Sequence, residues 1–144
     1  MTFVAFDRSP PMMIAEAEHR LSSLGASNVR LSLMSVSAPQ VPAAVLADVV
    51  RSAAAASDVV GMLGDGSIGV LSLRGLDKED SDEIEERFIA RLRLILQAEM
   101  FGRDVGPVSF RAVHRWACEL IEASDLVDSL FDAGPVVLTL GHAA

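Results

Sequence analysis

Asp58-Val59-Val60-Gly61-Met62-Leu63-Gly64-Asp65-Gly66-Ser67-Ile68-Gly69-Val70-Leu71-Ser72-Leu73 is the stretch on which the fold turns. Residues 58–63 and 68–73 are two short β-type runs rich in Val, Ile and Leu, and Gly64-Asp65-Gly66-Ser67 separates them. Asp-Gly between such runs is a strong local signal for a hairpin, because the glycine takes up the backbone angles that a tight turn demands. The two runs are therefore expected to be antiparallel neighbours.

On the N-terminal side, Val29–Val36 reads as a strand, with Leu31 and Leu33 alternating with serines, and Pro39 and Pro42 end it. Pro42 suits the first position of a helix whose face is Leu46, Val49, Val50 and Ala53, ending near Ser57, with the alanine run 53–56 as helix filler. Further upstream, Ser9-Pro10-Pro11 precedes Ile14, Ala17, Leu21 and Leu24 at three- and four-residue spacing, with Gly25 as a stop, which predicts an amphipathic helix within residues 1–26.

On the C-terminal side, acidic residues crowd 77–86 and open the longest helical pattern, Ile84, Phe88, Ile89, Leu92, Ile95 and Leu96. There they complement the helix dipole, and Asp80 with Glu83 forms a capping box for which Ser81 is a rival cap. Val108, Phe110 and Ala112 alternate with Ser109 and Arg111 as in a half-buried strand. Leu120, Ala123, Val127, Leu130 and Phe131 mark a last helix, closed by Gly134-Pro135, and Val136–Leu140 a last strand. Strands alternating with helices around one hairpin predict an α+β fold: a single mixed sheet of ferredoxin-like, split βαβ type with helices packed on it. Residues 27–144 form one domain after the N-terminal helix.

Composition narrows the chemistry. The chain has 144 residues, 51% of them hydrophobic, and twenty acidic against twelve basic side chains leave a formal charge of −8. Such a surface repels phosphate backbones, and with Lys78 the sole lysine no polybasic tract attracts anionic lipid. Nucleic acid and membrane are not expected partners. No apolar run approaches the length needed to span a bilayer, and residues 1–11 lack the pattern of a secretory signal, so a cytoplasmic location is expected. Cys118 is alone, which fits a buried structural thiol.

Two motif matches fail on context. Gly64-Asp65-Gly66-Ser67-Ile68-Gly69 fits G-x-G-x-x-G, but a strand-like run follows where a dinucleotide site needs a helix N-terminus. Ser67 is one residue out of step with a nucleophile elbow, which also needs a strand-to-helix turn. His19, His114 and His142 show no metal-ligand spacing and read as surface or structural residues. Trp116, beside Arg115, has the composition of a binding hot spot, and it also fits the inward face of the last helix with Leu120.

Ser57–Leu71 resembles the signature hairpin of GGDEF domains, the diguanylate cyclase family with a nucleotidyl-cyclase fold. Ser57, Asp58, Val60, Leu63, Gly64, Val70 and Leu71 coincide with the family's frame, and Glu119–Gly134 looks like its closing helix. The polar centre differs: Gly64-Asp65-Gly66-Ser67-Ile68 stands where the family has its acidic signature. The family condenses two GTP molecules into cyclic di-GMP with magnesium held by carboxylates at the end of the first strand and in the hairpin. The matching positions here are Ser35 or Ser37, and Ser67, while Asp65 is displaced by two residues. The segment that reads guanine is shortened to Ala38-Pro39-Gln40-Val41-Pro42 and a helix, and of the inhibitory R-x-x-D motif Asp58 alone is kept.

The resemblance thus implies a degenerate, catalytically inactive GGDEF-like module with no cofactor, regulatory or scaffolding in bacterial signalling, whose partner is another protein or a second copy. The first helix, through Ile14, Leu21 and Leu24, Trp116, and the helix face around Glu83, Glu86 and Arg87 are the candidate contacts. A receptor for a nucleotide or cyclic di-GMP is the alternative, and an active cyclase comes last.

Overall fold

The computed structural model describes His19 and residues 30–55, 58–63, 65–73, 81–101, 103–116 and 123–138. The elements in chain order are β1 (Arg30–Ser37), α1 (Ala43–Ala53), β2 (Val59–Met62), β3 (Ile68–Leu73), α2 (Ser81–Glu99), β4 (Val108–Trp116), α3 (Ala123–Asp132) and β5 (Val136–Leu138). The architecture is α+β, a five-stranded sheet in the order β2-β3-β1-β4-β5 with three helices.

The hairpin expected from Asp65-Gly66 is present: β2 pairs β3 in register Val59↔Leu71 through Met62↔Ile68. Because β3 returns beside β1, with Leu31 opposite Leu73 and Val36 opposite Ile68, it separates β1 from the strand that follows α1. Likewise β1 lies between β3 and β4, the two strands that α2 joins. The strand pairs linked by α1 and by α2 are therefore each split by an antiparallel neighbour, whereas β4 and β5, linked by α3, pair directly. All four ladders are antiparallel, which corrects the mixed sheet expected from the alternation of strands and helices. The connections through α1 and α2 leave their strands parallel to each other, but only adjacency would make a parallel ladder.

Period-two alternation in β1 sends its side chains to two cores. Met34 and Val36 join Val60, Ile68, Val70, Val108 and Phe110 beneath α1 and α2, whereas Leu31 and Leu33 join Val59, Leu71 and Val113 beneath α3. In α1 the expected face, Leu46, Val49, Val50 and Ala53, is buried in full. In α2 the burial falls on Ile84, Phe88, Leu92 and Leu96, one residue per turn, with Ile89 and Ile95 partly covered. The Phe88 ring meets that of Phe110 at a centroid distance of 6.0 Å. In α3 the buried positions are Leu126 and Leu130, with Val127 and Phe131 at the margin.

The other differences from expectation have local causes. Helix α1 stops at Ala53 and Ala54 is extended, although alanine is the strongest helix former. The Arg91 Nε–H of α2 donates to the Ala53 carbonyl at 2.7 Å, and Asp58 Oδ2 accepts the Ala55 N–H at 2.9 Å, so tertiary and loop contacts take the groups that further turns would use. Pro42 is the N-cap of α1 and not its first residue. β4 runs to Trp116, so Trp116 is a strand residue and does not sit on the last helix. β5 is described over three residues, of which Leu138 alone is buried. The N-terminal helix, including Ile14, Leu21 and Leu24, lies outside the described residues, as do Cys118, Leu120, Asp80 and the Ser81 side chain.

Leu96→Ala, which empties space under a fully buried side chain, is expected to cost about 2–5 kcal/mol, while Leu94→Ala on the outer face of the same helix stays within about 0.5 kcal/mol. Urea denaturation of the two variants checks the assignment of the helix faces.

Candidate functional site

The hairpin between β2 and β3 is built by its own short side chains. The Gly66 N–H donates to the Leu63 carbonyl and the Leu63 N–H to the Ser67 carbonyl, both at 2.9 Å, which closes the turn. Gly66 holds φ at +87°, a value that an L side chain rarely adopts, so glycine is required there. Asp65 Oδ1 accepts both the Ser67 N–H at 3.0 Å and the Ser67 O–H at 2.5 Å. Ser67 and Ile68 are buried, whereas Asp65 and Gly66 are exposed. Gly64 lies outside the described residues.

The family's magnesium can be tested against these groups. Ser35 and Ser67 are each 3% exposed, and the Ser67 hydroxyl is committed to Asp65. Register places Ser35 between Gly69 and Arg111. A side chain at Gly69 would meet Leu63 within 3.0 Å, so the space that glycine leaves is already filled by leucine. Two buried neutral hydroxyls, an arginine neighbour and one turn-bound carboxylate do not fit a divalent cation that needs carboxylate oxygens beside a polyphosphate. Among the described residues no group of three or more His, Cys, Asp or Glu side chains converges as a metal site.

Asp58, which the resemblance sets at the position of an inhibitory motif, is also engaged in a turn. Its carboxylate accepts the Ala55 N–H while its own N–H donates to the Ala55 carbonyl at 3.0 Å, a reciprocal clasp between α1 and β2.

The polar chemistry that the structure does assemble lies toward the other end of β1. Ser32 Oγ is 2.7 Å from His114 Nδ1, and His114 Nε2 is 2.6 Å from Glu85 Oε2. A carboxylate only accepts, so Nε2 carries the hydrogen toward Glu85, and in the neutral ring Nδ1 accepts the Ser32 O–H. The order serine, histidine, carboxylate matches that of a hydrolytic triad, but Ser32 is fully buried, so no substrate carbonyl can reach its oxygen. The chain ties β1, β4 and α2 together. Sequence reading identified His114 without its partners. The available signal was parity: the alternation Val108, Phe110, Ala112, continued by two residues, turns His114 inward, where an imidazole must find hydrogen-bond partners.

Trp116 ends β4 at 38% exposed, opposite Arg30 in register. An open groove of about 540 Å³ runs between β4 and α3, lined by Ala112, Val113, Arg115, Ser129 and Asp132 among others. The Arg115 guanidinium at its edge donates to the His114 carbonyl at 2.9 Å, and Arg111 donates to the Phe131 carbonyl at 3.2 Å. Glu83, Glu86 and Arg87 are all exposed on the outer face of α2. No protein-family model matches the chain, and no curated protein is significantly similar to it.

Asp65→Ala removes both acceptor contacts of the turn and is expected to destabilise the protein by about 1–2 kcal/mol, while Asp65→Asn, which keeps a carbonyl acceptor, costs less. Urea midpoints for the two variants measure this, and equal midpoints with the wild type would show that the turn does not depend on Asp65.

Proposed function

We infer that this chain is a catalytically silent, GGDEF-like module of ferredoxin-like core that works by contact with another protein. The observation that carries this reading is the fate of Asp65: the one acidic side chain in the hairpin turn is occupied in holding Ser67, and Ser35 and Ser67, which stand at the family's metal positions, are buried serines. The strand order β2-β3-β1-β4, with each helix-linked pair split by an antiparallel strand, supports the ferredoxin-like core. β5 extends that core at the β4 edge.

Among the described residues no cluster of carboxylates stands ready to hold a cation against triphosphate, which supports recognition as the work of this fold. Large apolar side chains left in solvent support a protein partner: Leu94 is 69% exposed and Phe101 88% exposed, on and just beyond α2. Residues of this kind cost little in the folded monomer and contribute binding energy when a partner removes them from water. Among the described residues no helix is long and apolar enough to cross a membrane. In this reading the partner is met in the cytoplasm of a signalling bacterium.

Calorimetric titration with GTP and with cyclic di-GMP, each with and without magnesium, is expected to give no saturable heat, and incubation with GTP no product. Turnover would overturn the reading, and saturable binding without turnover would replace it with a receptor. Leu94→Glu with Phe101→Glu is expected to abolish co-purification of a defined partner with the tagged chain and to leave the urea midpoint unchanged.

A further inference from the structure

Backbone groups in antiparallel strands point alternately to one neighbour and to the other. The hairpin sets that parity for the whole sheet. The Leu63 N–H donates to the carbonyl of Ser67 opposite it, so Gly61 with Gly69 and Val59 with Leu71 are the hydrogen-bonded pairs of β2 and β3. Ile68, Val70 and Ser72 then turn their N–H and C=O groups to Val36, Met34 and Ser32 of β1. The alternate residues of β1 bond Arg111, Val113 and Arg115 of β4. The backbone groups of Val108, Phe110, Ala112 and His114 are left pointing outward.

β5 takes the first two, pairing Val108 with Leu138 and Phe110 with Val136, and its ladder ends there. Among the described residues the Ala112 N–H and C=O and the His114 N–H have no partner. The His114 carbonyl accepts an Arg115 Nη1–H at 2.9 Å, as an acceptor turned away from β1 can. The groove of about 540 Å³ lies along this same stretch. Four consecutive residues, Ala112 to Arg115, line it, and consecutive side chains point to opposite faces, so the groove follows the edge of the strand. Ser129, Asp132 and Ala133 form the far wall.

We propose that this edge receives an extended segment of a partner protein, which adds a strand to β4 in line with β5 and antiparallel to β4. The inference rests on the reading of the chain as an interaction module, and it adds a contact that uses neither Leu94 nor Phe101. One residue of the segment exchanges two hydrogen bonds with Ala112, and the carbonyl two residues before it accepts the His114 N–H. The residue opposite Val113 faces the side that α3 covers, where Ser129 and Ala133 wall the groove, so a small side chain fits there. The residue opposite Arg115 faces the same side. The Arg115 guanidinium has no carboxylate partner among the described residues, and an acidic side chain complements it. Asp132 on the far wall is exposed and opposes a run of acidic residues. The segment that fits therefore carries one acidic residue two positions before a small one.

The isotope-labelled chain titrated with the peptide acetyl-Glu-Val-Ala-Val-Thr-amide, followed by amide shifts in NMR, tests it. Saturable shifts centred on Ala112 and His114 are expected, with slowed hydrogen exchange at both amides. Methylating the backbone nitrogen of the second valine, which removes the donor for the Ala112 carbonyl, is expected to abolish binding, as is phenylalanine in place of the alanine. Glutamine for the glutamate, or Arg115→Gln in the protein, is expected to weaken binding roughly two- to fivefold, and the two changes together no further than either alone. Equal binding of the methylated peptide, saturable shifts centred elsewhere, or no saturable shift at millimolar peptide overturns the proposal. If the peptide is silent while a partner is still lost on Leu94→Glu with Phe101→Glu, the edge alone is excluded. If the peptide binds and GTP is turned over, the silent-module reading falls and the edge stands.

Discussion

β1 is the constraint on which the rest of the molecule depends. Its two edges are occupied by β3 and β4, and its two faces by the cores beneath α1 with α2 and beneath α3. A strand enclosed in this way must place each backbone N–H and C=O in a ladder, and a slip of one residue would exchange its faces. Met34 and Val36 would then move to the α3 side and Leu31 and Leu33 to the other, so the whole register is cooperative. The hairpin and the helices are arranged around a strand that cannot move.

That enclosure also decides where polar chemistry can occur. Ser35 is sealed between Gly69 and Arg111 beneath the protein surface, and the hairpin spends its acidic side chain on its own turn. Both features commit their oxygens to packing and to turn closure. Glu85 with His114 is engaged in fastening a helix to a sheet. A buried polar group of this kind serves specificity of packing: it is satisfied in one arrangement of α2 over β1 and β4 and left without partners in others.

Much of the fold was legible in the residues. Asp65-Gly66 fixed the hairpin because its requirement is local, a positive φ at Gly66. The buried faces of α1 and α2 followed from period, since Leu46, Val49, Val50, Phe88, Leu92 and Leu96 recur at helical spacing and each was found inside. Trp116 was harder, because a tryptophan next to a helix-forming segment suits either element, and continuation of the β1 ladder held it in β4. The end of α1 was harder still, since four alanines favour more helix and contacts from Arg91 and Asp58 oppose it.

Local chemistry by itself determined the turn, the strand and helix periods, the acidic surface and the lack of carboxylates at the expected catalytic positions, because each depends on residues close together in the chain. The tertiary structure alone decided that the strands linked by α1 and by α2 are kept apart, that the sheet is antiparallel throughout, and that Ser32 and Glu85 meet His114 with Ser72 in register opposite Ser32. Those four residues come from four different elements, and their juxtaposition is a property of register, which exists only once the strands have paired.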